Sequence, residues 1–371
     1  MIYNLIVIFL ILALGFLFPE KQIPFVVADK NNRKIGFKSK YRKEYIIIIS
    51  IILILQSGLR HWSVGSDTNN YYFMFERVMD ISWSEIFNGF KQLYQPGDER
   101  DPGYNLFQKF VQLFITDYQL YLIFVAIIFF SAFGSFIYRN TSRISDAVMA
   151  FLFYSVLFYA FFSITGIRQT IATAIALVSF ELIKKRNLPF FLILIFLAST
   201  IHKSALIFIP FYFAPMIKNV KFFYGTVLFI FPLLFFFRET LSTIFTSLGG
   251  YQDFVRYEGA GTPIFTALMI LVAIFSFFRY KEVVLENPNS KLMYFAITIA
   301  LFFTPLTWVN PSAMRVVQYF SIFMVLLVPK VISTFKSTTD DWDRVIYVFF
   351  VIAIILIYLL RSESDYKFFW Q

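Results

Sequence analysis

The sequence contains no cysteine among its 371 residues. Disulfides, thiolate nucleophiles and cysteine-based metal sites are therefore excluded, and any catalysis must use other groups. Charge is also scarce, because only 15% of the residues are Asp, Glu, Lys or Arg, whereas soluble domains average about a quarter. Hydrophobic residues make up 58% of the chain, more apolar surface than a soluble core of this length could bury. The composition therefore indicates a protein whose solvent is lipid.

Apolar runs recur from one end of the chain to the other, and each is long enough, or nearly so, for a helix that crosses about 30 Å of hydrocarbon. We expect an all-α polytopic membrane protein that forms a single transmembrane domain over residues 1–371. The first run lacks a basic n-region and a cleavage site, which favours a retained helix over a signal peptide. The lengths of the runs, with the charges and prolines between them, predict about twelve transmembrane helices. Their predicted bounds are 2–18, 45–59, 118–138, 147–163, 166–183, 190–201, 204–217, 222–237, 263–278, 292–308, 314–329 and 345–360.

Loop charge orients these helices, because Lys and Arg concentrate in cytoplasmic loops. The basic segment 20–44 carries eight of them, which predicts a cytoplasmic loop and an extracytoplasmic N-terminus. Alternate later loops are also basic, at 139–143, 184–186, 218–221, 279–291 and 330–344. The excess of Lys and Arg in these loops accounts for the formal net charge of +10. The charge therefore gives no reason to expect a nucleic-acid partner.

Residues 187–217 leave two topologies open. They hold two short apolar pieces on either side of His202-Lys203-Ser204, and each piece spans only about 20 Å as a helix. One broken helix would invert the orientation of everything downstream. We prefer a hairpin of short helices, because it keeps every later basic loop cytoplasmic and puts its tip at the floor of an outward-facing cavity. The long extracytoplasmic loop, 60–117, should contain interfacial helices at 83–94 and 104–115.

The interiors of the predicted helices contain essentially no Asp, Glu, Lys or Arg, which argues against an ion-coupled transporter. Polar residues instead gather at the predicted outer helix ends. Most of them have simpler explanations, since an arginine can extend to lipid headgroups, Asp67 and Thr68 can cap a helix, and 101–103 reads as a turn. Arg168 is harder to explain in this way, because it lies about one turn inside an apolar helix and a buried arginine needs an anion.

Taken together, the arginines, a lysine, a histidine and two aspartates in one outward-facing cavity suit an anionic, phosphate-bearing substrate. Nearby Trp and Tyr side chains offer flat apolar faces on which sugar rings can stack. The combination points to lipid-linked sugar diphosphates.

Four motifs occur in order along the chain. They are Arg60 followed by Val64-Gly65-x-Asp67-Thr68-x-x-Tyr71, an acidic-Pro-Gly-Tyr sequence at Asp101 to Tyr104, Arg168-Gln169-x-x-Ala172, and His202-x-Ser204-Ala205-Leu206. This ordered set, over roughly residues 45–330, resembles the EpsG family of Wzy-like polymerases of bacterial exopolysaccharide, capsule and O-antigen. Two positions depart from the family pattern. Ser66 stands where threonine is expected, and Asp101 stands where glutamate is commoner, which shortens that side chain.

The resemblance implies a GT-C-like glycosyltransferase of the bacterial plasma membrane whose active side is extracytoplasmic. It would move a growing glycan from undecaprenyl diphosphate onto the terminal sugar of another lipid-linked repeat unit. The implied partners are the undecaprenyl-diphosphate-linked oligosaccharide, plasma membrane lipid, and flippase and chain-length regulator proteins. No metal or other cofactor is expected, because arginines can neutralise the departing diphosphate.

These motifs, together with Arg315 at another predicted outer helix end, assign three roles to individual residues. The diphosphate would be bound by Arg168 and Arg315, with Arg60 or Lys203. The sugars would be bound by Thr68, Tyr71, Asp101, Tyr104, Gln169 and Ser204. Catalysis would fall to Arg168 and to a general base, which is either Asp67 or His202. Asp67 is slightly favoured, because an ionised carboxylate in a loop at the membrane surface needs no special environment to stay unprotonated.

Other functions stay open on the sequence alone. A lipid-linked oligosaccharide flippase or exporter also needs a cationic cavity, but it must open the cavity to both sides, and the cytoplasmic halves of the predicted helices lack charge. An O-antigen ligase-type transferase would use the same donor with a different acceptor, and the sequence barely separates it from a polymerase. A purely structural role agrees least with a buried Arg168.

Overall fold

The computed structural model describes residues 2–29, 32–65, 67–92, 101–249, 261–334 and 366–371. Within these ranges the chain is predominantly helical, as predicted. The α-helices are α1 (Ile2–Leu17), α2 (Arg42–Gly58), α3 (Thr68–Asp80), α4 (Trp83–Gly89), α5 (Pro102–Val111), α6 (Tyr118–Asn140), α7 (Ile144–Phe153), α8 (Ile167–Lys184), α9 (Leu188–Ile201), α10 (Val220–Phe236), α11 (Arg238–Gly249), α12 (Pro263–Phe278), α13 (Tyr280–Glu286), α14 (Ser290–Phe303), α15 (Met314–Ser321) and α16 (Met324–Ser333). Two π-helical stretches, Tyr154–Phe158 and Ala160–Thr165, continue α7, and the longest 3₁₀ helix is Lys203–Met216.

Each predicted span within the described ranges falls on helical residues, although 314–329 is divided between α15 and α16, which are bent by 50°. The span 345–360 lies outside the described residues. By length and composition, two described helices could cross a membrane on their own, Tyr118–Asn140 and Ser290–Trp308. The number rises to five if three bent helix pairs each count as one span. Several other apolar helices are shorter, so crossing by about twelve helices stays a prediction.

One element of the fold was not predicted from the sequence. The basic segment 20–44 contains a two-stranded antiparallel sheet of β1 (Gln22–Asp29) and β2 (Asn32–Ser39). The pairing runs from Gln22 with Ser39 to Asp29 with Asn32. The dense charge of the segment identified a loop, but its Ile, Phe and Val residues favour strand pairing.

Internal contacts divide the chain into two compact units. The first unit comprises Met1–Tyr72, Ile115–Ile167 and Lys336–Gln371, and the second comprises Phe73–Phe114 and Arg168–Phe335. In the first unit α2 packs along α6. Gly58 permits this approach, because a Cβ there would lie 2.9 Å from the Ile123 Cα atom.

The second unit contains the hairpin that the sequence left undecided. His202 is extended between α9 and the 3₁₀ helix Lys203–Met216, which packs back along α9. The rings of Phe191 and Tyr212 are 5.1 Å apart, a contact that one continuous helix could not make. Pro210 and Pro215 lie inside the returning helix, where they cannot donate backbone hydrogen bonds. The hairpin is therefore correct, and its tip is formed by His202 and the two residues after it.

Candidate functional site

Asp101 and Arg168 form an ion pair in the second unit. The Arg168 Nη1 atom donates to Asp101 Oδ2 over 2.6 Å, and the Lys203 backbone N–H donates to Asp101 Oδ1 over 3.1 Å. Asp101 occupies the N-cap position of α5 but makes no side-chain capping bond, because its two oxygens serve these partners. The Asp101 side chain is 7% exposed and that of Arg168 is 26% exposed. The anion required by Arg168 is thus a carboxylate of the same unit.

The sequence 101–103 begins a helix, so its interpretation as a simple turn is wrong. Pro102 takes the first position of α5, where its missing N–H has no intrahelical partner to lose. Gly103 is required by tertiary packing, because a Cβ at this position would overlap the Thr200 side chain and lie 2.7 Å from the Thr200 carbonyl carbon. The close approach of α5 to α9 brings Asp101 to the hairpin tip.

His202 lies beside this ion pair. Its Nδ1 atom is 3.6 Å from Asp101 Oδ2, slightly beyond hydrogen-bonding distance, and the residue is 8% exposed. Burial lowers the pKa of His202 below its ordinary value; the Asp101 carboxylate opposes this effect, and Arg315 and Arg168 add to it. The lowered pKa favours the neutral imidazole, the state in which it can accept a proton.

The Asp101 carboxylate is held in its charged form. Burial alone would raise the pKa of Asp101, but His202, Arg168 and the Lys203 N–H outweigh burial, so the pKa lies below its ordinary value. A negative charge at this position stabilises a positive charge that forms on the neighbouring imidazole.

Other predicted residues surround the pair in the same unit. The Gln169 Nε2 atom donates to the Arg315 carbonyl oxygen over 2.6 Å, which ties α8 to α15. Tyr104 is buried, and its hydroxyl accepts from Gln108 Nε2 over 3.3 Å. Lys203, Ser204 and Arg315 are partly exposed.

Sequence reasoning missed Thr173 and Tyr319, which are each 1% exposed. The Tyr319 hydroxyl lies close to the hydroxyls of Ser204 and Thr173. Among the described residues, none of the three hydroxyls has a partner at hydrogen-bonding geometry. Helical spacing could have identified both residues, because Thr173 is four residues after Gln169 and Tyr319 is four residues after Arg315, which puts each pair on one helix face.

Arg60 belongs to the first unit and is buried, with 3% exposure, so it does not extend to lipid headgroups. Its Nη1 atom donates to the Ser57 carbonyl oxygen over 2.5 Å. The guanidinium also interacts electrostatically with Tyr118 and Tyr366.

Asp67, Thr68 and Tyr71 also belong to the first unit. The Thr68 hydroxyl donates to the Gly65 carbonyl oxygen over 2.7 Å, and Thr68 is fully buried. Gly65 has a φ of 114°, a conformation that favours glycine. Asp67 accepts the backbone N–H of Tyr71 through its own carbonyl oxygen and is partly exposed. Ser66 lies outside the described residues.

Comparison with known proteins gives one match. The model of the EpsG family matches residues 43–370, nearly the whole chain and more than the four motifs cover. No curated protein and no solved structure matches. The chain therefore belongs to the EpsG family, a family of Wzy-like polysaccharide polymerases.

Proposed function

We propose that the protein is a GT-C-type glycosyltransferase that joins undecaprenyl-diphosphate-linked oligosaccharide repeat units into a bacterial surface polysaccharide. The reaction would take place on the extracytoplasmic side of the plasma membrane. Family membership and the apolar helices support a polysaccharide polymerase in a membrane. The observation that carries the proposal is the cluster of Asp101, Arg168 and His202 at the hairpin tip of the second unit.

The chemistry is a displacement at an anomeric carbon. The bond from that carbon to the diphosphate oxygen breaks, and undecaprenyl diphosphate leaves with the bonding electrons. A hydroxyl oxygen on the terminal sugar of the acceptor repeat unit forms the new glycosidic bond and gives up its proton. The enzyme must therefore stabilise a developing diphosphate charge and accept one proton.

Arg168 and Arg315 are the proposed ligands of the leaving diphosphate. Arg168 is 26% exposed although it is paired, so substrate can reach its side chain. A guanidinium presents a planar set of donors that matches phosphate oxygens, and its pairing with Asp101 holds this plane in a fixed orientation. Arg315 acts on the His202 imidazole electrostatically, as Arg168 does, so both positive charges lie near the proposed base.

His202 is the proposed general base. Its lowered pKa favours the neutral form, and the Asp101 carboxylate would stabilise the imidazolium that forms when it takes the acceptor proton. Asp101 is then a positioning residue that orients Arg168 and His202, in place of the sugar-binding role that the resemblance implied. Asp67 is the alternative base, and Arg60, Thr68 and Tyr71 keep their predicted diphosphate and sugar contacts as proposals.

Lys203, Ser204, Gln169 and Tyr104 complete the proposed site. Lys203 would add positive charge for the diphosphate, while the other three would contact sugars. Flippase and chain-length regulator proteins stay proposed partners.

The test is reconstitution of the purified protein with the lipid-linked repeat unit that accumulates in a host lacking this gene. We expect a ladder of products with increasing numbers of repeat units. A protein that only moves the labelled lipid between leaflets is a flippase, and one that transfers a single glycan to a different lipid acceptor is a ligase. Either result would overturn the proposal.

A further inference from the structure

Six polar side-chain atoms without a hydrogen-bond partner among the described residues come together around the hairpin tip. They are Gln169 Oε1, Thr173 Oγ1, His202 Nδ1, His202 Nε2, Ser204 Oγ and Tyr319 OH. They come from three segments, since Gln169 and Thr173 lie on α8, Tyr319 lies on α15, and His202 and Ser204 form the tip. A packed core does not leave so many polar atoms unsatisfied in one place, so this cluster is built to receive something polar.

The atoms form one connected group. The hydrogen bond from Gln169 Nε2 to the Arg315 carbonyl oxygen joins the α8 face to the α15 face. Tyr319 follows on the same α15 face, with Ser204 and Thr173 close to its hydroxyl. Tyr319 also experiences the charges of Asp101 and Arg315, so the group adjoins the ionic site.

The chemistry of the cluster selects its ligand. Hydroxyls and a neutral imidazole both donate and accept, and the Gln169 oxygen accepts, so these groups complement a ligand that is itself rich in hydroxyls. A diphosphate, which only accepts, is better served by the arginines nearby. The cluster contributes no formal charge while His202 is neutral.

We propose that Thr173 and Tyr319, with Gln169 and Ser204, bind the hydroxyls of the acceptor's terminal sugar and determine which sugar hydroxyl is presented to His202. This inference rests on the proposed function and adds two specificity-determining residues to it. A site that hydrogen-bonds hydroxyls rejects sugars lacking them, because its buried polar groups are then left unpaired.

The test measures saturation by the acceptor alone. The repeat-unit oligosaccharide, released from its carrier by mild acid, serves as a water-soluble acceptor, and the labelled lipid-linked repeat unit serves as the donor. Transfer moves label into the aqueous phase. In Tyr319→Phe and in Thr173→Val we expect the half-saturating acceptor concentration to rise about three- to tenfold, the scale of one neutral hydrogen bond. Inhibition by added undecaprenyl diphosphate should be unchanged.

Tyr224→Phe is the matched control. Tyr224 is fully buried in the same unit, but its hydroxyl is hydrogen-bonded to Ser276 Oγ over 2.6 Å. This variant should lose thermal stability and keep wild-type acceptor saturation. Tyr319→Phe should lose less stability than Tyr224→Phe, because the Tyr319 hydroxyl makes no hydrogen bond of good geometry within the described part of the chain.

Two outcomes would overturn the inference. Unchanged acceptor saturation in both pocket variants, with lower stability, would mean that ordered water bridges these hydroxyls and that the cluster is structural. Equal weakening of acceptor saturation and of undecaprenyl diphosphate inhibition would mean a general disruption of the site. If the wild-type protein transfers no glycan at all, the proposed function itself fails, which is distinguishable from both outcomes.

Discussion

Replacing Asp101 by asparagine removes one negative charge and little else. The amide keeps an oxygen that can accept the Lys203 N–H, but Arg168 loses a charged partner 2.6 Å away and His202 loses the carboxylate 3.6 Å from its Nδ1 atom. A hydrogen bond to a charged group contributes about 1.5–3 kcal/mol. If this energy is expressed in the transition state, where the imidazolium forms, transfer should slow about ten- to a hundredfold.

The pH dependence of the transfer rate should also change in Asp101→Asn, and in one direction. A neutral His202 is the active base, so the rate should fall as the pH drops through the His202 pKa, which burial holds below its ordinary value. Asp101 raises that pKa, whereas Arg315 and Arg168 lower it. Asp101→Asn should therefore move the acid limb of the profile to still lower pH.

The assay is the initial rate of ladder formation by purified protein between about pH 5 and about pH 9, a range that brackets the ordinary histidine pKa. Asp101→Glu is the control, because it keeps the charge and restores the residue that is commoner in the family, so it should recover most of the activity. An acid limb that stays in place or moves upward in Asp101→Asn would refute the proposed coupling of Asp101 to His202.

Three further predictions follow from the site and the topology. Arg168→Lys keeps the charge but loses the planar donors, so turnover should fall about a hundred- to a thousandfold while the abundance of the protein stays near normal. Ladders as long as those of the wild type from this variant would exclude the diphosphate role of Arg168. Gly103→Ala should lower the free energy of unfolding by about 1–3 kcal/mol, measured by denaturant titration, because the new methyl group overlaps Thr200; unchanged stability would contradict the packing of α5 on α9. A single cysteine introduced into a loop should react with an impermeant maleimide added outside intact cells only if that loop is extracytoplasmic. Labelling is expected at 63 and 312 and not at 142, 185 and 286, and the reverse pattern would invert the predicted topology.

The helices were predictable because uniformly apolar runs separated by charge leave few alternatives in lipid. The 187–217 hairpin was preferred on loop charge alone, and ring contacts such as Phe191 with Tyr212 bear it out. The sheet at 22–39 was missed because its lysines and arginines dominated the interpretation. Periodicity cannot show that two strands pair within a segment already assigned as a loop.

The sequence predicted that Asp101, Arg168 and His202 lie near one another, but it did not predict which of them pair. A buried Arg168 required an anion, but the sequence did not show that Asp101, 67 positions away, supplies it. This pairing depends on the fit of Gly103 against Thr200, which is a tertiary contact. Tyr319 was missed for the same reason, since an aromatic residue in an apolar helix gives no signal until its neighbours are known.

The most direct test of the account is glycan transfer by His202→Gln in proteoliposomes containing the lipid-linked repeat unit, with the wild-type protein and Asp67→Asn measured beside it. We expect long ladders from the wild-type protein and transfer by His202→Gln about a hundred- to ten-thousandfold slower, the scale of general-base catalysis. Undecaprenyl diphosphate should bind to His202→Gln as tightly as to the wild type. Long chains made by His202→Gln at near wild-type rate, with Asp67→Asn inactive, would contradict the account and assign the base to Asp67.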